Sequence, residues 1–298
     1  MSALQSILDK TKNLPSISST VGRLYELLAS DTAGAAAIAR AIEPDAAVTA
    51  NLLRIANSAA FGVSRNVSSV RQSVTLLGPG RLVDAVVSSA FRTVLPRRLP
   101  GYGIDAAAFW KHSIAVALLA ERLGKQLRVA DIERVFSAGL LHDIGKLAMA
   151  PELEARAEAV RAALEQGQQS FAEIEHAVIG AGHDEVGAAL AHRWSLPEEI
   201  VLAARWHHHP RPPGEEGHHA VVDLVHIADG LAHLLGYGAD IGELARDIDA
   251  SCTTRLGLCN KTLERVASEA IDPIAELSEL FASSDAKPRQ RPHRGRGN

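Results

Sequence analysis

Aromatic residues make up only 4% of this 298-residue chain. Its core must therefore come mainly from Leu, Ile, Val and Ala. So few aromatics also count against a stacking platform for single-stranded nucleic acid. Cysteine is almost missing. Cys252 and Cys259 form neither a C-x-x-C pair nor a disulfide framework. No apolar run approaches the roughly 20 residues of a membrane span. The first residues, MSALQSILDKTKN, lack the apolar stretch and cleavage site of a secretory signal. A cytoplasmic location with no membrane partner is expected. A Gly-rich phosphate loop is missing too. Gly78-Pro79-Gly80 reads as a turn, because no Lys-Ser/Thr follows it.

Charge is unevenly spread. From Ala282 onward the chain carries five Lys/Arg against one Asp, so this tail is +4 and the rest of the −4 chain is −8. An acidic body argues against nucleic acid as partner. The tail's Pro/Gly/Arg composition predicts a solvated end without a core.

Apolar residues recur at helical spacing nearly throughout, which predicts an all-α chain. Ser18 or Ser19 caps a helix with Val21, Leu24 and Leu28 on one face. A second runs from about Thr32 to Ile42. Asp45 caps a third, which carries Val48, Leu52, Ile55 and Ala56. Pro96, Pro100, Gly101 and Gly103 mark the best boundary. Beyond it, helices are expected over Ala106–Gly124, from Asp131 through His142, from a Ser170/Glu173 capping box, from a start marked by Ser195, Pro197 and Glu198, and over Val221–Gly236. The resulting division is a leader helix or linker over 1–13, N-terminal helices over 14–100, a second helical part over 101–236, C-terminal helices over 237–281, and the tail over 282–298.

The chemistry lies in polar residues on apolar faces. His112 shares a face with Val116, Leu119 and Leu123. His142-Asp143 interrupts the face made by Phe136, Leu140, Ile144 and Leu147. His183 lines up with Val186, Leu190 and Trp194. His207 continues Ile200, Ala203 and Ala204, with His208 beside it, and Asp229 continues Val222 and Val225. An inward polar group without a partner costs a few kcal/mol, on the order of 2–7. A single core histidine is commonly satisfied by a carbonyl. Five helices each contributing inward His or Asp residues point instead to convergence on metal. Mixed imidazole and carboxylate donors suit Fe or Mn, and also Zn or Ni. Seven ligands exceed one tetrahedral zinc, so two divalent ions are expected, with Asp143 as the bridge.

The order His112, His142-Asp143, His183, His207-His208, Asp229 resembles the HD superfamily of metal-dependent phosphohydrolases, and LLHDIGKLAMA is similar to its signature. The narrower resemblance is to HDOD domains. It rests on LPSISSTVGRLYELLAS, IEPDAAVTANLLRIANSAAFG, VRQSVTLLGPGRLVDAVVSSA, W-x-HS, GLLHDIGKL, GHDEVGAALAHRWSLPEEI and ARWHHHP, in order over Leu14–Gly236. It implies a bacterial signalling protein with N-terminal helices packed on an HD-type bundle. Many such domains have lost ligands, whereas all seven positions are filled here. The chain departs from the related HD-GYP phosphodiesterases. PRPPGEEGHH stands where their DGxGYP text would be, and Ala108 stands where three-metal members place Glu, which implies two metals.

Two functions are weighed. One is a regulatory module that contacts a signalling partner through its N-terminal helices and holds metal for structure or for sensing a nucleotide or cyclic dinucleotide. The other is a phosphodiesterase acting on such a ligand, with Asp143 and Lys146 as catalytic residues. By resemblance, Lys146 in HDIGK would approach substrate phosphate. His176, His192, His218, His219, His226 and His233 are expected to be surface or satisfied residues. His209 adjoins the His207-His208 pair without an assigned role.

Overall fold

The structure is a computed structural model that describes residues 2–11, 19–28, 34–58, 66–128, 132–166, 170–211, 214–215, 219–238 and 247–282. The expected Ser18 cap, the Thr32 and Asp131 starts, His218 and the tail from 283 lie outside them.

Among the described residues the chain is helical almost throughout. The helices are α1 (Ala3–Lys10), α2 (Ser19–Leu28), α3 (Ala35–Ile42), α4 (Ala46–Ala56), α5 (Val70–Val94), α6 (Ala106–Leu127), α7 (Ile132–Leu141), α8 (Gly145–Glu154), α9 (Ala157–Gln166), α10 (Phe171–Ile179), α11 (His183–Arg193), α12 (Glu198–Trp206), α13 (Ala220–Leu234), α14 (Ala250–Arg255) and α15 (Asn260–Ala282).

Local chemistry sets many of the starts. Asp45 caps α4 by accepting from the Val48 N–H at 3.0 Å. Asp105 does the same for α6 through the Ala108 N–H at 2.8 Å. The expected capping box forms at α10: the Ser170 N–H donates to Glu173 at 2.7 Å and the Glu173 N–H to Ser170 Oγ at 3.3 Å. Such caps satisfy amide groups that a helix start leaves without partners.

The Pro/Gly cluster expected as a boundary is tightly packed. Arg98–Leu99 (β1) and Ile104–Asp105 (β2) pair antiparallel around a single 3-10 turn over Pro100–Tyr102, and the Tyr102 side chain is fully buried. The sequence reading saw no strand here, because two residues are too few to show alternation.

α5 is the longest of the described helices. By length and composition it could cross a membrane. Its Leu82–Phe91 stretch is instead buried in the protein core, and Gly78, at φ 72°, kinks it ahead of Pro79.

One apolar cluster runs through the helices. α6 lies at its centre, packed on α7, α13 and α15, while α11 packs on α8 and α12. α8 and α11 touch at Gly145. A Cβ there would stand 1.9 Å from the His183 carbonyl oxygen and 2.6 Å from the Gly187 nitrogen, both backbone atoms that cannot swing away. Glycine in HDIGK is therefore a packing requirement. It lets the Asp143 turn sit against the start of α11, which carries His183. Gly145→Ala is expected to cost roughly 3 kcal/mol, read as a lowered urea midpoint. A variant as stable as the wild type would contradict this contact.

Candidate metal centre

Five segments deliver the inward side chains. His112 sits in the second turn of α6. His142 and Asp143 form the turn from α7 into α8. His183 opens α11, His207 and His208 follow α12, and Asp229 lies in α13. The structure brings all seven together. His142, Asp143, His183, His207 and Asp229 are each at most 1% exposed, and His112 is buried as well. His208 is half-buried.

Asp143 occupies the middle, and its two oxygens face different groups. Oδ1 looks toward His183 Nε2 at 3.3 Å and His207 Nε2 at 3.6 Å. Oδ2 looks toward His142 Nε2 at 3.5 Å and His112 Nε2 at 3.6 Å. His208 Nε2 joins the first group, 2.7 Å from His183 Nε2. Asp229 Oδ1 joins the second, 3.3 Å from His112 Nε2 and 3.9 Å from His142 Nε2. Most of these separations exceed a direct hydrogen bond, about 2.7–3.2 Å. Atoms about 2.0–2.2 Å from a shared ion lie roughly 3–3.5 Å from one another. The donor set and its spacing therefore fit metal ions.

The outer ring nitrogens strengthen that fit. His142 Nδ1 lies 2.7 Å from the Gly139 carbonyl, and His207 Nδ1 lies 3.0 Å from that of Ala204. A carbonyl can only accept, so each Nδ1 carries the proton and each Nε2 turns a lone pair inward. Burial pushes the pKa of His142 well below its usual value and keeps the ring neutral. Burial alone would raise the Asp143 carboxyl, but Lys146 and the His183 N–H outweigh it and hold the group well below the carboxylate range. Lys146 Nζ is 2.9 Å from Oδ2. It supplies positive charge at an oxygen that also suits a metal cation.

His183 has a different support. Its Nδ1 and its backbone N–H both meet Glu175 Oε2, at 2.7 and 2.8 Å, and the Tyr102 hydroxyl donates to Glu175 Oε1 at 2.5 Å. Burial would lower the His183 pKa, yet Glu175 and Asp143 on either side push it up to about 10. Nε2 thus holds a proton toward Asp143 unless a cation replaces it.

Sequence reasoning missed three residues around this centre. Glu175 is fully buried, and its only sequence signal is an acid on the apolar face of Phe171 and Ile174. His226 accepts the Asp249 N–H at its Nε2, 2.9 Å away, and its Nδ1 lies 2.7 Å from the His207 carbonyl, so it buttresses the His207 turn. His233 was expected to stand apart. Its Nε2 instead lies 3.5 Å from Asp229 Oδ1. The signal was present, since His233 stands one helical turn after Asp229. His192 and His209 are exposed, and His176 faces Asp184 at the surface.

The HDOD domain family model matches residues 14–210. The chain belongs to the HDOD domain family. An uncharacterized protein of Treponema pallidum (strain Nichols) is 27% identical to this HDOD protein over 218 residues, 70% of the chain and 40% of that protein. A ribonuclease Y of Desulfotalea psychrophila is 32% identical over 123 residues, 41% of the chain and 17% of that protein. The chain thus spans well under half of these relatives. An HDOD domain protein of unknown function from Geobacter sulfurreducens superimposes with a TM-score of 0.72 at 24% identity, covering 95% of this chain and 96% of that one. These values show a shared fold.

Glu175→Gln keeps the shape but removes the charge behind His183. It is expected to weaken Mn(II) binding about 10–100-fold, as loss of an outer carboxylate partner does, when followed by titration calorimetry. Unchanged affinity would contradict the support assigned to Glu175. Chelation is expected to lower the melting temperature of metal-loaded protein. A ligand at a hundredfold excess over its Kd stabilises by about 2.7 kcal/mol, or roughly 4 °C for a chain of this size. Identical melting with and without chelator would contradict metal binding.

Proposed function

We propose that this HDOD protein is a cytoplasmic regulatory module whose HD-like bundle holds two divalent transition-metal ions, Fe or Mn first, with Zn or Ni also accommodated. The observation that carries this reading is Asp143, whose two oxygens face two separate imidazole groups. His183, His207 and His208 would hold one ion. His112, His142 and Asp229 would hold the other. The regulatory assignment draws on family membership and on Lys146. That ammonium is 3% exposed and turned onto Asp143 rather than toward solvent. A signalling partner would dock on the N-terminal helices, where Leu76 of α5 is 43% exposed. A nucleotide or cyclic dinucleotide would be the sensed ligand.

A metal-dependent phosphodiesterase is the second reading. The similarity to ribonuclease Y and the complete donor set favour it. Bound ions would supply Lewis acidity and lower the pKa of water. Asp143 would orient the reacting groups, and Lys146 would have to leave its contact with Asp143 to steady a phosphate oxygen.

The two readings separate in Asp143→Asn and Lys146→Ala, assayed with Mn(II) on cyclic dinucleotides, mononucleotides, RNA and a generic phosphodiester. Asp143→Asn is expected to lose metal under either reading, and Lys146→Ala to keep it. The regulatory reading predicts no turnover by the metal-loaded wild type. Wild-type turnover that falls tenfold to a hundredfold in Lys146→Ala, the loss of a charge-assisted contact of about 1.5–3 kcal/mol, would establish the enzyme instead.

A further inference from the structure

The imidazole of His233 lies outside the seven-residue set, yet it points into the same centre. His233 and Asp229 are four residues apart on α13 and so share a face. The His233 side chain is 6% exposed, and its Nε2 is 3.5 Å from Asp229 Oδ1. Its ring stands edge-on to that of His112, with centroids 5.3 Å apart. His112, Asp229 and His233 each offer a ligand atom, all within 4.8 Å of one another.

An independent feature fixes the ring in place. α13 ends in a tight turn, with the Gly236 N–H bonded to the His233 carbonyl and the Tyr237 N–H to that of Ala232. The turn brings Gly238 close to the Nδ1 edge of the imidazole. A Cβ at Gly238 would stand 2.1 Å from Nδ1 and 2.6 Å from Cε1. Lys111, next to His112, lies over the Tyr237 ring at 4.8 Å and ties the turn to α6. Any side chain at position 238 would displace the ring.

We propose that His233 is a further ligand of the ion that His112 and Asp229 hold, an inference that rests on the metal-site reading above. The 3.5 Å separation suits two ligands of one ion better than a direct N–H···O bond. An added nitrogen donor occupies a position that a catalytic ion keeps open for water or substrate. It therefore favours a closed, structural ion on this side of Asp143.

The test uses the full chain loaded with Co(II), in wild type, His233→Ala, His233→Gln and the exposed control His192→Ala. The His233 variants are expected to shift the visible ligand-field band and to weaken one Co(II) ion by roughly 100-fold or more, beyond what loss of an outer partner costs. His192→Ala should match wild type. A His233→Gln spectrum identical to wild type would overturn the proposal, leaving His233 a hydrogen-bond partner of Asp229. Substitution at a buried site can unfold the chain, so a second measurement leaves the sequence intact. Wild-type protein with isotopically labelled histidine nitrogens is loaded with a spin-active cadmium isotope. Direct bonding gives a metal–nitrogen coupling on the His233 ring. Coupling on His112 but not on His233 would overturn this proposal alone. Coupling on neither would overturn the metal-site reading together with it.

Discussion

One buried carboxylate organises this molecule. Asp143 is 1% exposed, and an ionised carboxyl in that position is tenable only with positive charge or strong donors close by. Lys146 and the His183 N–H serve that need directly, and the lone pairs of the other surrounding histidines serve it only through cations they would share with Asp143. Removing one partner of such a buried arrangement typically costs about 3–5 kcal/mol, because the other charge is left exposed to the low dielectric of the core. The fold around the site can be understood as the scaffold that brings those partners within reach.

Each group of donors has its own support. On the Oδ1 side, His183 is held by Glu175 and Tyr102, so the short β1–β2 connection contributes directly to the centre. The His207 turn is held from behind by His226, which also accepts from the first residue before α14. Arg255 of α14 then pairs with Asp223 of α13 at 2.6 Å. The C-terminal helices are thereby fastened to the centre through a chain of hydrogen bonds. On the Oδ2 side, the close of α13 backs His233. His208 on the first side and His233 on the second are each half-buried.

Much of this was legible in the sequence, because the signals were local. Asp45 and the Ser170/Glu173 box cap helices by contacts within three residues, and their positions follow from spacing alone. Most of the seven inward residues stood out because they continued or broke an apolar stripe, and His208 stood out by adjoining His207. What escaped was set by distant partners. Glu175 acts on a histidine eight residues on, across a glycine-containing turn. His226 joins two backbone segments that no periodicity relates. His233 is the instructive case. Its i+4 relation to Asp229 was visible, but His233 lies outside the seven-residue pattern.

The central claim is that Asp143 joins two metal ions, one on each oxygen. Anomalous X-ray scattering from crystals of the Mn(II)-loaded protein addresses this directly. The account predicts two anomalous peaks flanking the carboxylate, one among His183, His207 and His208 and the other among His112, His142 and Asp229. A fully loaded crystal with a single peak, or with peaks that Asp143 does not touch, would contradict it.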